Sequence, residues 1–343
     1  MLRFIVHALG ILVSIGAGLG LLARFIPPDA LWPPAIVALV LPALLALTLG
    51  YLAYTLLSRR WAKAVFPGLI LLCSLPLLPQ LFSFGGSTAG EGSTVTVLTS
   101  NARGFRDDAY QWVAHERVGR YLREVAPDVL LVQECYRSGH AESGAEVIKA
   151  ASGLGKRHQP DRGPLATFAD DLQFVSDQYS RNGLNGLLVS DVKTDIGTVR
   201  VINAHLQSNQ ISDMATELGQ GESLEENVDR TGSMLMNYGQ AAARRARQAE
   251  ELRRIVRESP HPVIVGGDFN DVPSSYTYRR SLSPRLRDAW VEAGFGMGTT
   301  FSGPLPGLRI DYLMVDTALQ IHSIRKVETG FSDHYALEAI LSR

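Results

Sequence analysis

Cysteine is nearly absent from this 343-residue chain: two occur, Cys73 and Cys135. One lies in an apolar run and the other ends a buried-strand pattern, so no disulfide framework is implied and the compartment is left open. With no Cys/His quartet, structural zinc is also disfavoured. An excess of basic charge is missing as well. Lysine and arginine total 33 against 34 aspartates and glutamates, a formal net charge of -1. That is no footprint for avid nucleic-acid binding, although a local basic cleft fits within a neutral total. Internal repeats are lacking too. The amino-terminal quarter lacks charge itself: Phe4 to Phe84 is almost wholly apolar, whereas charges are spread throughout from Glu91 onward.

Three apolar stretches stand out there, Phe4–Leu22, Leu31–Leu57 and Ala64–Phe84. Each reaches the roughly 20 helical residues that cross the hydrocarbon core. Two further spans argue against reading the first as a cleaved signal. Pro27, Pro28, Pro33 and Pro34 bracket the first connection, where helices must end. The second connection, Ser58 to Lys63, is short and basic, with Trp61 suited to the headgroup region. Such loops favour the cytoplasmic side. Residues 1–84 are therefore expected to form a three-span, multi-pass segment in the cytoplasmic membrane, with the following domain periplasmic or extracellular. Arg24 dissents mildly. Pro67, Pro76 and Pro79 leave a re-entrant third span open, which would put the domain inside.

Residues 85–93 read as a flexible Gly/Ser linker, and residues 94–343 as one soluble domain. Thr94–Thr99 alternates like a strand, and Asp128–Val132 is a short apolar run suited to a strand buried on both faces. His115–Val125 carries a helical stripe that Pro127 ends. Val199–Leu206 and Pro262–Gly266 read as strands. Gln240–Glu258 reads as an amphipathic helix whose arginines form a solvated face with i,i+4 pairs. Ser138–Asp177 has no clean period, and acidic Asn209–Asn237 reads as a long surface loop. Mixed helices and strands point to an α/β or α+β sandwich.

Polar residues gather at strand ends, where loops can collect them. They are Asn101, Gln133-Glu134, Asn203-Ala204-His205, Gly267-Asp268-Phe269-Asn270, Arg309-Ile310-Asp311-Tyr312 and Ser332-Asp333-His334. Period two points Asn203 and His205 to one face, and likewise Asp268 and Asn270. Glu134, Asp333 and Asn101 offer the hard oxygens that suit Mg²⁺. A cation answers the two difficulties of phosphodiester hydrolysis, repelled nucleophiles and a poor leaving oxygen. His334 can take a proton from water if Asp311 orients its ring. Asp268 and Asn270 can position water and a phosphate oxygen, and His205 can donate to the developing phosphorane charge.

As an ordered set, these motifs resemble the endonuclease/exonuclease/phosphatase (DNase I-like) superfamily from Thr94 to the carboxyl terminus. The whole chain resembles a bacterial branch with an amino-terminal three-span segment. The resemblance implies a four-layer α/β/β/α sandwich of two packed mixed sheets flanked by helices, and Mg²⁺ or Mn²⁺ as cofactor. It implies Glu134 as principal metal ligand, with Asn101 and Asp333 nearby. It further implies catalytic roles for Asp268, Asn270, Asp311, His334 and His205, and substrate contacts by Asn185, Asn203 and Arg309. One departure touches the substrate rim: Gly163-Pro164-Leu165-Ala166-Thr167-Phe168 runs into Ala169-Asp170, without the hydroxyl and basic residue that family members often carry there. A metal-dependent phosphoric ester hydrolase at the bilayer is thus expected, acting on a lipid headgroup or small diester. An extracytoplasmic nuclease and a non-catalytic scaffold are the alternatives, and no protein partner is inferred.

Overall fold

The computed structural model describes residues 1–343 apart from 89, 91, 107–111, 136–147, 150–151, 155, 159–162, 209–223 and 304–306, and apart from the side chains of 115, 156–158 and 224–228. The amino-terminal helices are α1 (Leu2–Leu22), α2 (Pro33–Leu39), α3 (Leu41–Leu57), α4 (Trp61–Ser74) and the short α5 (Leu78–Leu81). Next come β1 (Ser83–Phe84), β2 (Val95–Asn101), α6 (His115–Val125), β3 (Val129–Gln133), β4 (Lys156–His158) and β5 (Ala166–Ala169). β6 (Leu172–Tyr179), β7 (Gly186–Thr194) and β8 (Gly197–His205) lead into the long α7 (Leu224–Glu258) and β9 (Val263–Asp268). The chain ends with α8 (Tyr276–Ser281), β10 (Leu286–Asp288), α9 (Ala289–Ala293), β11 (Phe295–Gly296), β12 (Asp311–Asp316), β13 (Gln320–Val327) and β14 (Ala336–Ser342).

Alternation along the strands builds the layers. One six-stranded sheet runs β13-β14-β2-β3-β5-β4 and the other β10-β12-β9-β8-β7-β6. Each is mixed: β2–β3 and β8–β9 are parallel and the other pairs antiparallel. Val95, Val97, Val129 and Leu131 face Val199, Val201, Ile264 and Leu313 between the sheets. Their chain neighbours Leu98, Leu130 and Val132 point the other way, onto Val118, Leu122 and Val125 of α6. Ile202, Val263 and Val265 do the same against Leu252 and Val256 of α7. Successive side chains on a strand alternate faces, so a strand covered on both sides must be apolar throughout. The result is the α/β/β/α layering that the family resemblance implies.

Several boundaries differ from that expectation. The acidic stretch read as a loop is helical from Leu224. Residues 209–223 lie outside the described part. Ser138–Asp177 supplies three strands, β4, β5 and most of β6: the first two are too short to show a period, and β6 is a bulged edge strand with little buried on either face. The Gly/Ser linker follows β1, which pairs with β11, and is itself docked at Thr88, whose N donates to His322 O at 2.7 Å.

In the apolar segment, α1 and the stretch Trp61–Leu81 are each long and apolar enough to cross a membrane. The second expected span is broken. α2 and α3 meet at 75° and pass the same test only when taken together as a bent pair. The break falls at Val40, whose backbone leaves helical geometry, just before Pro42. α2 turns instead onto the domain. Ala35 and Ala38 pack with Tyr238, Val272, Phe301 and Ile310. Tyr238 Oη donates to Ala35 O at 3.3 Å, and Ser274 Oγ to Ala38 O at 2.8 Å. At the far end of the bundle, Arg60 Nη1 lies 3.1 Å from His7 Nε2. The start of α1 and the α3–α4 turn therefore share the end opposite the domain.

Candidate active site

Strand register decides which side chains meet. β8 and β9 align His205 with Asp268, and β9 and β12 align Asp268 with Asp311. Those three stand in a row across the end of one sheet. β2 and β3 align Asn101 with Gln133, bringing Asn101 and Glu134 to the same end of the other. One amide then bridges the sheets: Asn101 Nδ2 donates to Glu134 Oε1 and to Asp268 Oδ2, both at 3.1 Å. Close approach is built into the backbone. Gly267 has φ 147°, and a Cβ there would stand 1.8 Å from Ala204 O, so only glycine lets β9 lie this near β8. Glu134 and Asn270 take left-handed φ values of 53° and 51°, turning the chain sharply as each strand ends. Such strain, of order 1–3 kcal/mol each, clusters at functional sites.

The Ser332-Asp333-His334 segment arrives through a bridge between Phe301 and His334, whose rings stack edge-on at 5.2 Å. His334 Nδ1 and Asp311 Oδ2 are 2.9 Å apart, and both residues are buried. Thr300 Oγ1 fixes Asp311 from behind, accepting from the backbone N–H of Ile310 and Asp311, each at 3.1 Å. His334 Nε2 is thereby aimed at Asp268 Oδ2, 4.0 Å away. His205 Nε2 lies 3.8 Å from both Glu134 Oε1 and Asp268 Oδ2. Asn270 secures Asp268 through its backbone N–H, 2.8 Å from Oδ1.

Among the described residues, charge at this end is lopsided. Glu134, Asp268, Asp311 and Asp333 face two imidazoles and Arg103, whose Nε lies 3.8 Å from Asp333 Oδ1. Burial first, then the Asp311 charge, raises Asp268 to about 6, although His334 and His205 pull it down. Burial disfavours the charged His334 ring, but Asp311 and Asp268 together outweigh it and lift the ring to about 10. A surplus of hard carboxylate oxygens is what a divalent cation of the Mg²⁺ type would offset. Donor atoms of Asp268, Asp311 and His334 lie within 4.8 Å of one another. His334 and Asp311 are already joined to each other, which leaves Glu134 and Asp268 as the better oxygen donors for a cation. Asn101 does not present oxygen to that place: its Oδ1 accepts from Arg103 N at 3.0 Å, and its amide nitrogen faces the carboxylates. In this arrangement its amide holds the carboxylates of Glu134 and Asp268 together.

The three expected substrate contacts divide. Asn185 is at the site's edge, donating to Leu206 O at 3.0 Å beside Asn270 Nδ2, which donates to the same oxygen at 3.1 Å. Asn203 is spent on structure. It donates to Val132 O and Ala166 O across the sandwich and accepts from Gln133 Nε2 at 2.7 Å. Arg309 points away, into a buried pair with Asp288 at 2.8 Å, over the rings of Tyr278 and Tyr312, and donates to Gln80 O at 3.0 Å. Arg309→Met should therefore strand Asp288 and destabilise the full-length protein by about 3–5 kcal/mol. A melt in detergent reads this, and an unchanged midpoint would contradict it.

Two residues escaped the sequence reading. Arg103 follows Asn101 with no pattern to flag it. Arg245 was grouped with a solvated face, yet it is fully buried, its Nε 3.1 Å from Asp271 Oδ2 directly after the Asp268–Asn270 turn. Arg254 does form the expected surface pairs, with Glu251 and Glu258.

Two mixed sheets packed face to face, with carboxylates and imidazoles collected across their shared end, place this chain among the α/β sandwiches. Residues 98–334 match the model of the Endonuclease/Exonuclease/phosphatase family, and the chain belongs to that family. Residues 3–81 match a domain of unknown function (DUF8431). No curated protein matches. Among solved structures, a humanized D. rerio TDP2 is similar at 16% identity and TM-score 0.51, over 74% of this chain and 100% of that one. An endonuclease/exonuclease/phosphatase from Beutenbergia cavernae is similar at 18% identity and TM-score 0.50, over 73% and 72%. D. rerio TDP2 complexed with single strand DNA product is similar at 14% identity and TM-score 0.51, over 74% and 100%.

Proposed function

We propose that this chain is a membrane-anchored, divalent-metal-dependent phosphoesterase hydrolysing a lipid headgroup or a small diester at the bilayer surface. The observation that carries the reading is where α2 docks. Its partners Phe301 and Ile310 are the residues that flank His334 and Asp311, so the catalytic cluster sits beside the joint with the apolar helices. Phe82, Phe84 and Phe295 form an aromatic cluster at the same joint, with Phe84 and Phe295 largely exposed, as headgroup-level aromatics are.

Mg²⁺ or Mn²⁺ held by Glu134 and Asp268 would supply phosphate charge neutralisation and polarisation of oxygen. The chain's own groups do the rest. Asp311 fixes the His334 ring so that Nε2 faces the space before Asp268, where a water can lose its proton. His205 Nε2 can donate to a phosphoryl oxygen. Asn270 and Asn101 hold Asp268 in place.

Turnover by the full-length enzyme should be highest on a phospholipid or a small phosphodiester in a panel that also holds RNA and duplex DNA. A cavity of about 600 Å³ between the β6–β7 hairpin and α7, lined by Arg181, Arg244 and Arg247, favours the nuclease reading instead. Turnover on DNA exceeding that on any lipid, with binding that falls steeply with salt, would make that second reading the first.

The bundle geometry supports a multi-pass anchor in a bacterial inner membrane, with the domain outside. The basic Arg59–Lys63 turn lies opposite the domain, and such turns stay in the cytoplasm. A reporter active only in the periplasm, fused after Arg343, should give signal. Signal from a cytoplasmic reporter alone would reverse the orientation.

A further inference from the structure

Between α1 and α4 lies a cavity of about 670 Å³ whose walls include Ile15, Leu19, Leu22, Phe66, Ile70 and Leu77. Such a volume falls within the roughly 300–1,000 Å³ of ligand pockets. Its polar mouth is made by two cations from different parts of the chain, Arg24 after α1 and Arg279 on α8. Arg24 donates through Nη1 to Gln80 Oε1 at 2.6 Å and to Pro273 O at 3.2 Å, both uncharged. The Arg279 guanidinium lies over the Phe25 ring, 4.5 Å from its centroid. Among the described residues, neither arginine forms an ion pair with a carboxylate. Two neighbouring cations with neutral partners, at the mouth of an apolar slot, make a site for one end of an amphiphile.

We propose that this slot binds one anionic phospholipid, its acyl chain between α1 and α4 and its phosphate against Arg24 and Arg279. The proposal rests on reading α1 and α4 as membrane helices, but not on the catalytic cluster. Free phosphate would satisfy the arginines and leave the apolar walls uncovered. A neutral zwitterionic lipid would fill the slot but leave the positive charge unanswered. An anionic phospholipid meets both demands. Because Arg24 also holds Pro273, shortly after the Asp268–Asn270 turn, the occupied slot would brace the joint beside the catalytic cluster.

The test titrates full-length protein in detergent with phosphatidylglycerol, phosphatidylcholine or inorganic phosphate and counts bound lipid by native mass spectrometry. One phosphatidylglycerol per chain is expected, with phosphatidylcholine weaker and excess inorganic phosphate unable to displace it. Arg279→Glu should weaken phosphatidylglycerol binding at least about tenfold, since each basic group near an anionic headgroup is worth about fivefold and a reversal counts twice. Arg279 is exposed on α8, so this variant should fold. Gly18→Leu tests the slot separately. A Cβ at Gly18 would lie 3.2 Å from Ile70 Cδ1, so a leucine occupies the chain's space while both arginines stay. Hydrolysis of a soluble chromogenic phosphodiester, measured on each sample, reports the catalytic cluster independently. Equal binding of phosphatidylcholine, or unweakened phosphatidylglycerol binding by Arg279→Glu, would overturn the lipid site while leaving the phosphoesterase reading intact. Loss of hydrolysis in the wild type, with lipid still bound, would strike that reading alone.

Discussion

His334→Ala should lower kcat by at least the ~10²–10⁴ typical of lost acid–base catalysis, while the purified protein still melts cooperatively. The expectation follows from how the ring is held. Nδ1 is committed to Asp311 and the ring is flanked by Phe301, so only Nε2 is free to act, and it faces the space in front of Asp268. Asp311→Asn should cost less, because the ring and its Nε2 remain. It should also move the pH–rate profile. Asp311 is the strongest of the charges that hold the imidazolium, lifting His334 to about 10 against burial. Rate that depends on neutral His334 rises with pH as the ring loses its proton, so removing the Asp311 charge should shift the rising limb to lower pH. The stability sign follows the same logic. The folded state prefers the charged ring, so its contribution is full below the unfolded value near 6.5 and is lost as pH rises through about 10. In the double variant the losses should not multiply, because residues acting as one unit are not additive. Multiplying losses, or a profile that stays put in Asp311→Asn, would separate the pair and leave Asp311 with some other task.

How far the sequence carried depends on what each residue's role required. Strand-end polar residues after buried apolar runs were legible because period two fixes their face, and register then aligns His205, Asp268 and Asp311 without further information. The layering was legible in Val129–Val132, which is apolar on both faces because both are covered. Arg309 was not legible. An arginine two residues before a strand-end aspartate looks like a phosphate contact, and nothing local reveals that its side chain turns away from the site, toward Asp288. Arg245 failed for the same reason: its partner Asp271 is 26 residues away in sequence. The elbow at Val40 hid inside an unbroken apolar run, since composition measures hydrophobicity and not direction. α2 lies within that apolar run, yet Ala35 and Ala38 pack on Tyr238 and Val272 of the domain.

EDTA should abolish activity, and Mg²⁺ or Mn²⁺ should restore it, but the more discriminating result concerns stability. Without metal, the carboxylates of Glu134 and Asp268 converge on Asn101 Nδ2 at 3.1 Å each, and repel one another. Glu134→Gln removes one charge at nearly constant shape, and the amide oxygen can still accept from Asn101. The metal-free variant should therefore melt at or above the metal-free wild type. Added Mg²⁺ should reverse that order. A ligand that binds only the folded state stabilises by RT ln(1 + [L]/Kd), about 2.7 kcal/mol at a hundredfold excess over Kd. Wild type should gain that increment, while Glu134→Gln, lacking a principal oxygen donor, should gain little at the same concentration. Asn101→Ala should behave differently again. It takes away the donor that quiets both carboxylates, so the metal-free protein should be destabilised while metal binding survives in weakened form. Melting curves of the three proteins with and without Mg²⁺ decide the matter without any substrate. If Glu134→Gln gained as much from Mg²⁺ as the wild type, the cation would have to sit elsewhere, with the Asp268, Asp311 and His334 group as the place to look, and His334 could not then serve as the group that takes the proton from water.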